Sequence, residues 1–250
     1  MKRMLLAAAL VASAGVPAGA ATLYVGHGIP GKVFGDDTNK LAVDVCVVNG
    51  PAIQGLAYPV ELFSGVEFGQ FAQVPLDLPA GRYDVEVQLP SGGTCDGDAA
   101  VAGSVFLGLG ENATAIAHLT EQGTPTLTKY VNDVRPLASG QARVYARHGA
   151  AVGNVDVTLK GEGWPVYIRD LENPDQEGAD LRAGSTRVTI SRAYGWRGWN
   201  SSGNHYGRPL FSAQLDLAAG TAYFAYAVGI PSSDPSKNTF TVLLQPIALK

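Results

Sequence analysis

The stretch RVYARHGAAVGNVDVTL, residues 143–159, occurs in altered form once before: residues 23–47 begin LYVGHG and, after an insertion, reach VDVCV. Each copy reads as a short alternating strand, a His-Gly corner and a second strand carrying Val-Asp-Val. Two further segments follow in the same order in both halves. YDVEVQL (residues 83–89), behind the turn Pro79-Ala80-Gly81, corresponds to RVTI (187–190) behind Ala183-Gly184. LGLGEN leading into ATAIAHL (107–119) corresponds to LDLAAG leading into TAYFAYAVG (215–229). Four segments recurring in one order are what a duplicated structural unit leaves behind.

The segments are strands. In YDVEVQL, Tyr83, Val85, Val87 and Leu89 point one way and Asp84, Glu86 and Gln88 the other, the pattern of a sheet with one buried and one wet face. Thirty-one glycines and fifteen prolines punctuate short runs rich in Val, Leu, Ile, Thr and Tyr, and no long run has apolar residues at helical spacing. The expected fold is all-β: two tandem immunoglobulin-like β-sandwich domains. The first should span residues 21–136 and the second 137–250, joined through GTPTLTKYVNDVRPLASG (123–140) with the boundary near Pro136.

Residues 1–20 read as a secretory signal peptide: basic Lys2 and Arg3, an apolar run over 4–16, and a small-residue cleavage site at Ala18-Gly19-Ala20. That run is too short to span a bilayer, and no later stretch is long and apolar enough. The expected location is secreted or periplasmic. Beyond residue 20 the chain has 16 Lys and Arg against 22 Asp and Glu, a net charge of −6. This argues against nucleic acid or an anionic membrane as partner. Cys46 and Cys95 are the only cysteines. In an exported chain an even pair favours a disulfide over two reduced, buried thiols, and closing such a loop stabilises a fold by roughly 3–4 kcal/mol.

Both repeats resemble an exported family known as domain of unknown function 4397. Its pattern runs Val-Arg-Val-Val-His-Ala-Ser, a short gap, Val-Asp-Val-Tyr-Val, then a Pro-Ala-Gly-x-Tyr turn and a later Leu-x-x-Gly-x-x-Tyr-Thr strand. The matches are Arg143, Val144 and His148 with Val155-Asp156-Val157, and Leu23, Val25 and His27 with Val43-Asp44-Val45. Pro79-Ala80-Gly81-Arg82-Tyr83 fits the turn, and residues 217–220 with Tyr223 fit the later strand. The chain departs from the pattern at Gly28 and Gly149, which replace the Ala after the histidine. The resemblance implies tandem copies of a secreted β-sandwich and carries over no catalytic residue.

By strand parity His27 and His148 lie on the core side, where a histidine more often holds a loop than a metal, whereas Asp44 and Asp156 fall on the outward parity. Two matches to the dinucleotide fingerprint, at residues 26–31 and 108–113, lack the helix that fingerprint must open and read as turns. Acidic clusters at Asp36-Asp37, at Asp96 and Asp98, and at Glu172, Asp175, Glu177 and Asp180 lack the alternation of a calcium loop, so solvated loop charge is the reading and no metal or cofactor is assigned. No Ser-His-Asp elbow, HExxH or CxxC is present.

The unusual stretch is YGWRGWNSSGNHYGR, residues 194–208. Tyr194, Trp196, Arg197, Trp199, His205 and Tyr206 there suit stacking on sugar rings or a protein contact, with a small satellite core as the alternative. Trp164 would strengthen the binding reading if it reached the same surface. The expectation is a non-catalytic binding or surface-associated module for a carbohydrate or protein ligand. The alternatives are a polysaccharide hydrolase, whose carboxylates cannot be paired from sequence, and a structural envelope or matrix component. The oligomeric state is left open.

Overall fold

The computed structural model describes residues 19–36, 41–53, 55–90, 94–193 and 209–249. Most of the signal-peptide stretch and the whole of residues 194–208 therefore lie outside the described residues.

Among the described residues, sixteen strands form four sheets. The first unit comprises β1 (Thr22–His27), β2 (Ala42–Asn49), β3 (Val60–Glu67), β4 (Phe71–Gln73), β5 (Gly81–Gln88), β6 (Ala99–Leu107), β7 (Asn112–Leu119) and β8 (Pro125–Val131). The second comprises β9 (Gln141–Ala150), β10 (Val155–Lys160), β11 (Val166–Leu171), β12 (Gln176–Arg182), β13 (Gly184–Arg192), β14 (Phe211–Leu217), β15 (Thr221–Gly229) and β16 (Thr241–Ala248). Sheet orders are β4-β1-β7-β8 and β3-β2-β5-β6 in the first unit, β12-β9-β15-β16 and β11-β10-β13-β14 in the second. Adding eight to each label of one unit gives the other. The rare parallel pair is repeated too, β1 beside β7 and β9 beside β15. Each unit is a β-sandwich with its own core: Leu23, Val45, Val85 and Ala115 meet in the first, Val144, Val157, Ile190 and Tyr223 in the second.

The repeated motifs have identifiable work in this fold. His27 donates from Nε2 to Leu41 O at 3.1 Å, and His148 Nε2 lies 3.2 Å from both Val152 O and Gly153 O. Both histidines thus tie down the connection between the first two strands of their unit. Tyr83 donates to Pro79 O at 2.6 Å, and Tyr223 OH accepts from Ala218 N at 2.8 Å, so each of these two tyrosines fastens the turn just upstream of it. The aspartates of Val-Asp-Val do have outward parity, but they are buried rather than wet. Asp44 accepts from Gly65 N and Ser64 Oγ, both at 2.9 Å, and Asp156 accepts from Asp170 N at 2.9 Å. Gly65 (φ 70°) and Asp170 (φ 56°) are left-handed residues where β3 and β11 shift register against their neighbours. A carboxylate on the adjacent strand satisfies the amide that such a bulge strips from the ladder.

Cys46 and Cys95 form a disulfide with a Cα–Cα distance of 5.9 Å. It draws the β5–β6 connection onto the outward side of β2, where Cys46 is wholly buried.

The alternation of buried and less buried faces holds along outer-sheet strands such as β5 and β14, is broken on the central β2 and β10 at Asp44, Cys46 and Asp156, and is lost altogether along the central strands of the inner sheets. β7 and β15 are buried on both faces. On their far sides Ile116 and Tyr130 of the first unit meet Ala222, Phe224, Tyr226 and Val228 of the second, flanked by Phe71, Tyr145 and Leu243. The molecule is therefore four sheets deep, the inner sheet of one unit against the inner sheet of the other. A sheet covered on both sides needs near-continuous apolar runs, which is how ATAIAHL and TAYFAYAVG read. The connection between the units is fastened as well. Arg143, 6% exposed, reaches Asp180 at 2.7 and 3.0 Å, Asp133 at 2.9 Å and the carbonyl of Arg135 at 3.0 Å.

Candidate functional site

Three places carry chemistry that packing alone does not demand: the seam between the units, the tip of β10–β11, and the β13–β14 connection.

At the centre of the seam lies Arg147, 1% exposed. Its guanidinium stands 4.3 Å from the ring centre of Phe224, 4.7 Å from that of Tyr130 and 5.1 Å from that of Tyr226. Nε donates to Gln176 Oε1 at 2.9 Å, Nη1 to the Tyr226 hydroxyl and Nη2 to Val131 O at 3.0 Å. Tyr226 in turn donates a hydrogen bond to Gln245 Oε1 at 2.8 Å, which also accepts from Thr114 at 3.0 Å. Burial lowers the Arg147 pKa, opposed mainly by Tyr226, and raises those of Tyr130 and Tyr226. The guanidinium, Tyr226 and Gln245 are buried, while Gln176 is half-buried and Val131 exposed at its rim, so the cluster serves as a polar pin through the seam. Sequence reading missed it because the repeat aligns Arg147 with Gly26, and nothing in a lone arginine marks it as buried.

The same seam explains both departures from the family pattern. A Cβ on Gly28 would lie 2.9 Å from Val228 Cγ1, and one on Gly149 would lie 2.9 Å from the His118 ring. Each His-Gly corner presses on the other unit, and glycine is what fits.

Among the described residues, no group of three or more His, Cys, Asp or Glu could hold a metal ion. His118 contacts Leu119 O at 2.9 Å and the Thr128 hydroxyl at 2.7 Å. Burial lowers the pKa of His118 and His148, and takes His27 down to about 4. Among the carboxylates weighed for calcium, Asp180 is engaged by Arg143. A pocket in the second core, lined by Val144, Val157, Leu159 and Ile190, has a volume of about 20 Å³, room for little more than one water.

The exposed chemistry lies on the outer sheet of the second unit. Trp164, between β10 and β11, is 94% exposed, and Tyr167 on β11 is 50% exposed with the Arg169 guanidinium 5.7 Å from its ring centre. Tyr194, Trp196, Arg197, Trp199, His205 and Tyr206 fall outside the described residues, but their anchors do not. Ala193 N bonds Asn154 O and Leu210 N bonds Ile190 O, both at the Val155 end of β10. Trp164 follows Lys160, at the other end of the same strand. Trp164 and the anchors of the aromatic segment are thus separated by the length of β10, about 17–20 Å.

The family description "domain of unknown function (DUF4397)" matches residues 21–158 in one continuous span. The chain belongs to that family. The match covers all of the first unit and runs on through His148 and Val155-Asp156-Val157 of the second, so the family is shown once and the duplication is visible in the strand order instead. No protein with a curated description matches the sequence. Similar solved structures include a candidate cell adhesion protein from Bacteroides uniformis, at 12% identity and TM-score 0.28, over 93% of this chain and 100% of that one. Another, from Bacteroides ovatus, has 10% identity and TM-score 0.26 over 92% and 98%. The Bacillus anthracis TIE protein matches at 13% identity and TM-score 0.25 over 84% of this chain, which spans 34% of that protein. Likeness at this level lends the chain no ligand.

Proposed function

We propose that this protein is an exported, non-catalytic binding module of the cell surface or extracellular space. Its ligand, a carbohydrate or a protein, meets the second unit at residues 194–208. The observation that carries the reading is where the two units diverge. The β5–β6 connection of the first unit is acidic and tied to β2 through Cys95. Its counterpart between β13 and β14 has no cysteine and carries Tyr194, Trp196, Arg197, Trp199, His205 and Tyr206. The same frame thus presents two chemically different connections, and the second combines flat aromatic rings with hydrogen-bonding groups. Export is supported by the N-terminal pattern and by the disulfide, since such bonds persist in oxidising compartments.

The test uses a Trp164→Phe background, which removes the tryptophan at the far end of the sheet and leaves Trp196 and Trp199 as reporters. Soluble glycans and candidate surface proteins are titrated in while fluorescence is followed. A saturable change, lost in the Trp196→Ala, Trp199→Ala variant at unchanged thermal stability, supports the reading. A loss of stability in that variant with no response in the parent assigns the two rings to the core and ends it.

A further inference from the structure

One row of side chains crosses the outer sheet of each unit, and the duplication sets the two rows at equivalent positions. In the first unit the row runs Glu61, Cys46, Glu86 and Ala102 across β3-β2-β5-β6. In the second it runs Tyr167, Thr158, Thr189 and Ser212 across β11-β10-β13-β14. The equivalence follows from Val-Asp-Val, since Cys46 lies two residues beyond Asp44 and Thr158 two beyond Asp156. The first row is two carboxylates flanking a cysteine that is wholly buried and bridged to Cys95. The second is an aromatic ring followed by three hydroxyls over three strand spacings, about 14 Å. The fold is built on either row, so packing does not demand the second.

Tyr167 is half exposed, and the Arg169 guanidinium 5.7 Å from its ring centre holds the ring in place. Thr189 Oγ1 lies 3.5 Å from Ser212 Oγ. The next row along the sheet runs Lys160, Arg187 and Gln214, with Gln214 Nε2 donating to Ser185 Oγ at 3.0 Å. At the tip of the hairpin stands Trp164, no more than about 10 Å along the chain from Tyr167. Gly163 (φ 98°) makes the bend before it, and Pro165 restricts it to extended backbone. Its side chain is 94% exposed. An indole left in water forgoes the gain of burial, which stacking on a ligand restores. Charge on and beside this face is balanced, Lys160, Arg169 and Arg187 against Glu162, Asp170 and Asp216, all exposed. Nothing in that balance selects an ion.

From this arrangement we infer that the outer sheet of the second unit is a further ligand site, for a neutral glycan. The face of a sugar ring is apolar C–H and its rim is hydroxyl. Trp164 and Tyr167 take two such faces in one oligomer, and the row from Thr158 to Ser212 exchanges hydrogen bonds with the rims. Lys160, Arg187 and Gln214 donate to further hydroxyls beside it. The site shares no residue with 194–208 and stands or falls apart from the reading given for that segment.

The test uses a Trp196→Phe, Trp199→Phe background, which leaves Trp164 as the only tryptophan. Its fluorescence is followed while β-glucan and chitin oligomers are added, at low salt and at about 0.5 M salt. The expected result is a saturable change that tightens from disaccharide to longer oligomer and is unmoved by salt. Tyr167→Ala should weaken it about tenfold at an unchanged melting temperature. Calorimetry on the full wild-type chain, with and without Trp164→Ala, Tyr167→Ala, reads the same contact should the background fail to fold. Both side chains are exposed, so that double variant keeps its fold, and it should lose one set of sites. No saturable change with any oligomer, or an isotherm that the double variant leaves unchanged, overturns the inference. So does a response confined to polygalacturonate and abolished by salt, which would make this face an anion site.

Discussion

His27 offers a test of how the buried polar groups limit stability. Its ring is 1% exposed, donates from Nε2 to the Leu41 carbonyl, and has no partner for Nδ1 among the described residues. Desolvation therefore holds its pKa near 4 against an ordinary 6.5, partly opposed by the Leu41 bond. The unfolded chain binds the proton first as pH falls, so stability is full above about pH 6.5 and is lost progressively down to about pH 4, beyond which this histidine costs nothing further. The full separation corresponds to about 3 kcal/mol, and the portion lost between about pH 7.5 and about pH 5 is about 2 kcal/mol. His118 and His148 act in the same sense. Asp133, held at about 2 chiefly by its hydrogen bond from Arg135, loses its contribution only at lower pH than this window. Urea unfolding of wild type and His27→Gln at the two pH values measures the difference. The glutamine keeps a donor for Leu41 and cannot titrate, so the variant should lose about 2 kcal/mol less than wild type on acidification. Parallel losses in the two proteins would mean that His27 takes up its proton in the folded state as readily as in water, and the burial argument would fail.

The seam supplies two further predictions. Gly28→Ala should destabilise the protein by about 1–3 kcal/mol because its Cβ meets Val228, and adding Val228→Ala should return part of that loss in a double-mutant cycle by thermal unfolding. Additive losses would show that the corner does not press on the other unit. Arg147→Lys keeps the charge but cannot reach Gln176, Tyr226 and Val131 with three separate nitrogens, so it should cost about 1–3 kcal/mol. A melting temperature equal to that of wild type would refute the pin.

Much of the architecture was legible because strand parity and turn chemistry are local. YDVEVQL declares its faces, and VDVCV with VDVTL announces the duplication. Cys46 and Cys95 were readable as a bridge because an exported chain with two cysteines has little else to do with them. What could not be read depends on which surface meets which. The parity of Asp44 was right, yet outward did not mean wet, because a bulge in the neighbouring strand recruits its carboxylate. Arg147 looks like any strand arginine until a second sheet lies over it. The unbroken apolar run of TAYFAYAVG was the signal that a second sheet must cover β15, and it is visible without coordinates. For the candidate site, composition marked residues 194–208, but only strand order shows that Trp164 belongs to the far end.

The reciprocal contacts at the His-Gly corners bind the histories of the two halves together. Gly28 answers to Val228, and Gly149 to His118, so a substitution in either half is acceptable only in the light of its opposite number. After such a duplication each copy loses the freedom to drift on its own, and the pair is inherited as a single object. A relative that carries alanine at either corner must hold a smaller residue facing it or seat its two units farther apart. Those two facing positions, read together, would tell which relatives share this four-sheet arrangement.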